Sequence, residues 1–244
     1  MSQARFDFSA QPTTGPDLIK WTAPAVLSLM VLAVMAFWPR YLSSPAALGT
    51  PYIHFHAVTA TLWFLLLFTQ PLLIRSRRTT LHHRLGYSSL LLAPLVVVAF
   101  VLAAHSQLDS RSAPDIWPIG RYILYLQISL GGLFGLIWLM GMLKRKDRLV
   151  HARLMAATGL TFVDPVLARL LPDVGIPNQF VTFALTDLIL VALIWFERDA
   201  RRGRWVFPTV LILFVLLQLP VFLGLTDSAT WDAFSRWYLS LSLT

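Results

Sequence analysis

Seven apolar runs of bilayer length, joined by short loops, constrain this chain more than any other feature. They cover residues 21–39, 52–74, 86–105, 119–143, 152–171, 178–196 and 205–224. A helix needs about 20 apolar residues to cross the hydrocarbon core. A soluble domain carries roughly a quarter charged residues; here the charged fraction is 13%, the hydrophobic fraction 57% and the mean hydropathy +0.66. So little polar surface cannot solvate a globule of 244 residues. The expected class is all-α: a polytopic membrane helix bundle with about seven transmembrane helices. Residues 1–20 form a polar N-terminal segment, 21–224 the membrane domain with its core in 52–171, and 225–244 a tail. The first run is followed by Pro39-Arg40 rather than by a small-residue cleavage site, so it reads as an uncleaved helix.

Basic residues sort the loops. With the N-terminus inside, 15 of the 20 lysines and arginines fall in inner segments: Arg5 and Lys20, and the clusters within Arg75–Arg84, Lys144–Arg153 and Arg198–Arg204. Arg40, Arg111, Arg121, Arg169 and Arg236 remain outside. The positive-inside rule then places the chain in a bacterial inner membrane, N-terminus cytoplasmic and C-terminus periplasmic. Tryptophans 21, 195 and 205 mark the inner boundary, and 38, 117, 231 and 237 the outer one. The stretch Thr230–Leu241 is too short and polar to cross, and is expected to lie on the outer face as an interfacial helix. The net charge of +8 is dispersed in these clusters instead of forming a continuous basic face, which excludes a nucleic-acid partner and leaves the lipid bilayer.

Two inner loops carry one pattern. Leu81-His82-His83-Arg84-Leu85 opens the third run and Val150-His151-Ala152-Arg153-Leu154 the fifth. This suggests parallel repeats, with His82 and His151 in equivalent places at the inner rim. These segments, together with His54-Phe55-His56 and the span to Gln70, Gly86, and the stretch from His151 through Thr161 to Arg169, carry a resemblance. Over residues 50–172 the chain resembles a family of bacterial predicted membrane proteins known only as a domain of unknown function. That resemblance implies an integral membrane protein and no particular reaction. In helix layout and rim histidines it is more loosely similar to cytochrome b561-like dihaem proteins, which implies haem.

The histidines form two groups. His54, His56 and His105 lie at outer helix ends, and His82, His83 and His151 at inner ones. Imidazole suits haem iron, zinc and copper, so His56 with His105 and His82 with His151 are the candidate ligand pairs for haem b or a transition metal. His54, His56 and His105 are also a candidate metal set, and Arg169 a partner for a haem propionate or an anionic head group. Spacing argues against a transmembrane electron wire. His83 and His105 are 22 residues apart, a rise of about 33 Å, whereas dihaem proteins separate their ligands by about 20 Å. His54 and His56 point about 200° apart on a helix, so one of them at most faces a common interior site. The plainer reading is that rim histidines bond lipid phosphates or loop carbonyls.

Asp164 and Asp187 fall mid-span, where carboxylates mark function or pairing. They are either a proton relay or substrate pair, or acceptors for Thr161, Gln127 or Gln218 that glue helices together. Pro165 frees a carbonyl one turn earlier and kinks that span. Arg169 is expected to snorkel or to pair with Asp173. Gly131, Gly132 and Gly135 read as close-packing positions. Cysteine is absent, so no thiolate site exists, and no phosphate loop, zinc-protease helix or serine elbow occurs. Three functions follow as expectations: a membrane redox or cofactor-handling component, a proton-coupled transporter, and an accessory subunit of a respiratory complex.

Overall fold

A computed structural model describes residues 18–44, 50–172, 178–200 and 202–244. Arg5, Asp173, Arg201 and the side chain of Arg40, all used in the sequence reading, lie outside the described residues. Every described element is helical: α1 Leu18–Phe37, a π-turn Trp38–Leu42, α2 Pro51–Arg75, α3 Thr79–Tyr87, α4 Ser89–Asp109, α5 Trp117–Leu143 and α6 Arg148–Thr158. A 3₁₀ turn Gly159–Phe162 follows, then α7 Val163–Leu170, α8 Asn178–Phe196, α9 Val206–Phe222, a second 3₁₀ turn Leu225–Asp227 and α10 Ala229–Leu239.

Five helical segments are long and apolar enough to cross a membrane: Lys20–Phe37, Pro51–Arg75, Thr79–Asp109, Trp117–Leu143 and Asn178–Phe196. α9 is apolar but shorter, at 17 residues. The expected span over 152–171 is not one helix; it is built from α6, the 3₁₀ turn and α7. The cause lies in Pro165, which has no N–H to donate back to Thr161, so the α-ladder opens one turn before it. The basic pattern Leu81–Leu85 belongs to the separate helix α3, which buries none of its residues and joins α4 at Ser88. There the Ser88 hydroxyl donates to the Leu85 carbonyl at 2.6 Å.

Adjacent helices alternate in direction. One end of the bundle collects the loops after α2, α5 and α8, and with them Arg75–Arg78, Lys144–Lys146, Arg198, Arg202 and Arg204; we call it the basic end. Asp147 caps α6 there, its carboxylate accepting from the Leu149 and Val150 amides. Between the ends, α2, α4, α5 and the 3₁₀ turn meet around Trp63, Phe100, Phe134 and Phe162. Trp63 packs edge-on to Phe134 at 4.9 Å and donates its indole N–H to the Thr158 hydroxyl at 3.1 Å. α4 and α5 approach closely because Gly131 offers no side chain against Phe100. Large apolar residues such as Val31, Leu62, Leu91, Leu139, Leu188 and Ile212 are turned outward, as a helix bundle solvated by lipid requires.

At the other end α10 lies over α4 and α5. The Trp117 indole N–H donates to Asp232 at 2.7 Å, Arg236 donates to the same carboxylate at 2.8 Å, and Arg121 lies 3.5 Å from both Asp232 and Asp227. The Trp231 indole donates to the Arg121 carbonyl at 3.0 Å. Trp117 is buried and Trp231 half-buried, because each indole N–H finds its partner inside this network.

The Trp117 N–H bond, followed by the Arg236 and Arg121 charges, holds the Asp232 carboxyl below the usual carboxylate range. Its contribution to docking α10 is therefore full above about pH 4 and lost as pH falls through the lower folded value. Acid titration followed by tryptophan fluorescence should show α10 detaching below about pH 4. Asp232→Asn should lack that step; the same step in the variant would refute this assignment.

Candidate functional site

Polar groups inside the bundle gather in two places. At the basic end, α2, α3 and α6 bring together Gln70, His82 and His151. The His151 Nδ1 lies 2.8 Å from the Gly141 carbonyl, which only accepts, so Nδ1 carries the hydrogen and a neutral ring keeps its lone pair on Nε2. The His82 ring sits against the Gln70 backbone, within electrostatic reach of His151 and 5.5 Å from the His83 ring. Its Nδ1 is shielded from solvent and has no hydrogen-bond partner among the described residues. A carbonyl that orients one imidazole, beside a second imidazole with an unused nitrogen, is an arrangement that suits metal ligation.

The two loop patterns diverge at their arginines. Arg84 is exposed, whereas Arg153 is buried and donates from Nε to Glu197 at 2.8 Å, with Nη2 on the same carboxylate oxygen. Arg153 Nη1 also donates to the Leu149 carbonyl at 2.9 Å. Gly203, with φ of 77°, lies over this guanidinium; a Cβ there would stand 3.2 Å from Nη1. The sequence reading counted Arg153 as an orientation charge and passed over Glu197. The available signal was that Glu197 is the chain's one glutamate and closes an apolar helix.

The opposite half holds the second group. His54 shares a 2.8 Å hydrogen bond with the Tyr41 hydroxyl. His56 turns inward, edge-on to Phe100 at 4.7 Å, and its Nδ1 has no partner among the described residues. His105 is buried, with Nδ1 2.7 Å from the Thr244 hydroxyl and Nε2 3.3 Å from the Leu239 carbonyl. Its ring stands edge-on to Tyr238. The expected set His54, His56 and His105 is thus divided among three surroundings, and both nitrogens of His105 are taken by the tail. No group of three or more metal-holding side chains occurs among the described residues.

Asp164 is buried, and Gln179 Nε2 donates to both of its oxygens at 2.9 Å. The donors anticipated for it lie elsewhere: Thr161 donates to the Thr158 carbonyl, and the Gln127 Oε1 has no partner among the described residues. Asp187 accepts from Gln218 at 3.0 Å, as the helix-gluing reading anticipated. The two aspartates therefore have separate glutamine partners. Arg169 donates to the Pro165 carbonyl at 2.6 Å and stacks over Phe37 at 4.5 Å, within electrostatic reach of both His56 and Asp164. Tyr122 feels the Asp164 charge. Asp164 and Gln179 thus form a polar contact between α7 and α8, with Tyr122 of α5 and Arg169 within its electrostatic reach.

Comparison of the chain with protein-family models, curated proteins and solved structures returned no match. The reading of function rests on these two centres alone.

Proposed function

We propose that the protein is a bacterial inner-membrane component that binds a transition metal, as haem b iron or as a bare ion, through His82 and His151, and serves electron transfer or cofactor handling. The basic end faces the cytoplasm by the positive-inside rule. The chain crosses seven times, counting α9 and the broken segment α6–α7 with the five long helices. The observation that carries the reading is the Gly141 carbonyl on His151 Nδ1, which leaves the lone pair on Nε2 in a ring within electrostatic reach of His82. A hydrogen bond of this kind fixes the tautomer and orientation of a ligating imidazole, and losing such support weakens metal affinity by about 10–100-fold.

Detergent-purified protein expressed with ample iron and haem should contain metal, with a Soret band if the centre is haem. His82→Ala and His151→Ala should each lose most of it, while His105→Ala should not. Colourless, metal-free wild-type protein would sink the proposal. The buried Asp164, held by Gln179, favours a second reading, a proton-coupled carrier. In liposomes that reading expects flux abolished by Asp164→Asn and retained in His151→Ala; the reverse result removes it.

A further inference from the structure

We propose that Gln70 and His82 form a niche for the neutral hydroxyl- or carbonyl-bearing head group of a bilayer-dissolved amphiphile. Both polar atoms of the Gln70 carboxamide and the Nδ1 of His82 are shielded from solvent and lack a hydrogen-bond partner among the described residues. Folded proteins pair roughly 90% or more of such groups, so three orphans in one place point to a group that completes them. They do lie in one place. A methyl group built on Gly86, four residues after His82 on α3, would stand 3.7 Å from Gln70 Nε2 and 4.0 Å from Oε1. The Gln70 backbone itself rests against the His82 ring.

The chemistry of the three atoms selects the ligand. A carboxamide offers N–H donors and a carbonyl acceptor, and a neutral imidazole nitrogen adds another donor or acceptor. Their complement is a group that both gives and takes hydrogen bonds: a hydroxyl, or a hydroxyl–carbonyl pair. Dipoles without a fixed charge suit a neutral group.

Depth selects where it comes from. Gln70 lies five residues before the end of α2 at Arg75, so it sits about 7–8 Å inside the basic rim at 1.5 Å per residue. That is where the oxygens of amphiphiles lie, below the phosphates. Exposed Leu81, Leu90 and Leu91 on α3 and α4 present an apolar approach from the lipid. The ring oxygens of a quinone or its quinol share this chemistry and this depth; the glycerol hydroxyls of phosphatidylglycerol lie on the water side of its charged phosphate.

Both readings use His82 Nδ1, so they exclude each other at that atom; the test turns on Gln70, which the metal reading does not use, and metal content decides the one and ligand response the other. Thermal unfolding of the full chain in detergent is followed with a short-chain benzoquinone, its hydroquinone, phosphatidylglycerol or phosphatidylcholine added. The wild-type midpoint should rise with the quinone pair and with neither phospholipid. Gln70→Leu should melt higher than wild type when no ligand is present, because an unpaired buried amide is gone, and should bind about tenfold more weakly, the loss of one or two hydrogen bonds. If Gln70→Leu does not fold, Gly86→Leu, which fills the space over the amide, should abolish the response. No wild-type response to the quinone pair, an equal response to either phospholipid, or an unchanged response in the folded variant overturns the proposal.

Discussion

Glu197→Ala should destabilise the protein by about 3–5 kcal/mol, because it leaves the Arg153 guanidinium buried without its counter-charge. Both side chains are almost fully enclosed, at 7% and 4% exposed, so water cannot take over the lost partner. Gly203 closes the site from above and the Leu149 carbonyl holds one edge of the guanidinium, which leaves little room to swing outward. The pair as a whole contributes far less than its rupture costs, since desolvating two ions offsets most of their attraction. Replacing both, as Arg153→Met with Glu197→Leu, should therefore recover most of the stability lost by Glu197→Ala. Unfolding in mixed detergent measures all three proteins. A single variant within about 1 kcal/mol of wild type, the value of an exposed pair, would contradict the burial argument.

Gly131→Ala should lower stability by about 1–3 kcal/mol, in the range of overpacked cores, although alanine is the better helix former. The added Cβ would lie 2.7 Å from Phe100 Cβ and 2.9 Å from Cγ, atoms next to the α4 backbone that cannot rotate away. The helices must separate, and Phe100 must leave its contacts with His56 and Phe162. Gly132, one residue on, is the internal control. A Cβ there meets nothing within 4 Å, so Gly132→Ala should be neutral or stabilising by up to about 1 kcal/mol. Equal effects at the two positions would show that helix propensity, and not the α4–α5 approach, governs this face.

The long apolar runs made the class legible, because a bilayer demands continuous helices and the demand is written in consecutive residues. The helical tail was legible for the same kind of reason: Thr230–Leu241 is too short and polar for anything but a surface. Pro165 announced the break in the α6–α7 segment, since a missing N–H is a local fact. The partners of individual side chains were not legible. Arg153 and Glu197 are 44 residues apart, and no pattern distinguishes the arginine that turns inward from Arg84, which matches it in sequence and faces solvent. His105 looked like a free rim imidazole until the tail residues Leu239 and Thr244 were placed upon it. The loop echo put His82 and His151 at the same end of the bundle, but only the fold shows the Gly141 carbonyl that orients one of them.

The distance along the chain between Arg153 and Glu197 also has a meaning in time. A ribosome adding about 5–20 residues per second needs roughly 2–9 s to make the intervening stretch. Through that interval the guanidinium has no mate, and an unmatched cation among acyl chains is costly. The packing around Arg153 can therefore be completed only after the chain's one glutamate has emerged.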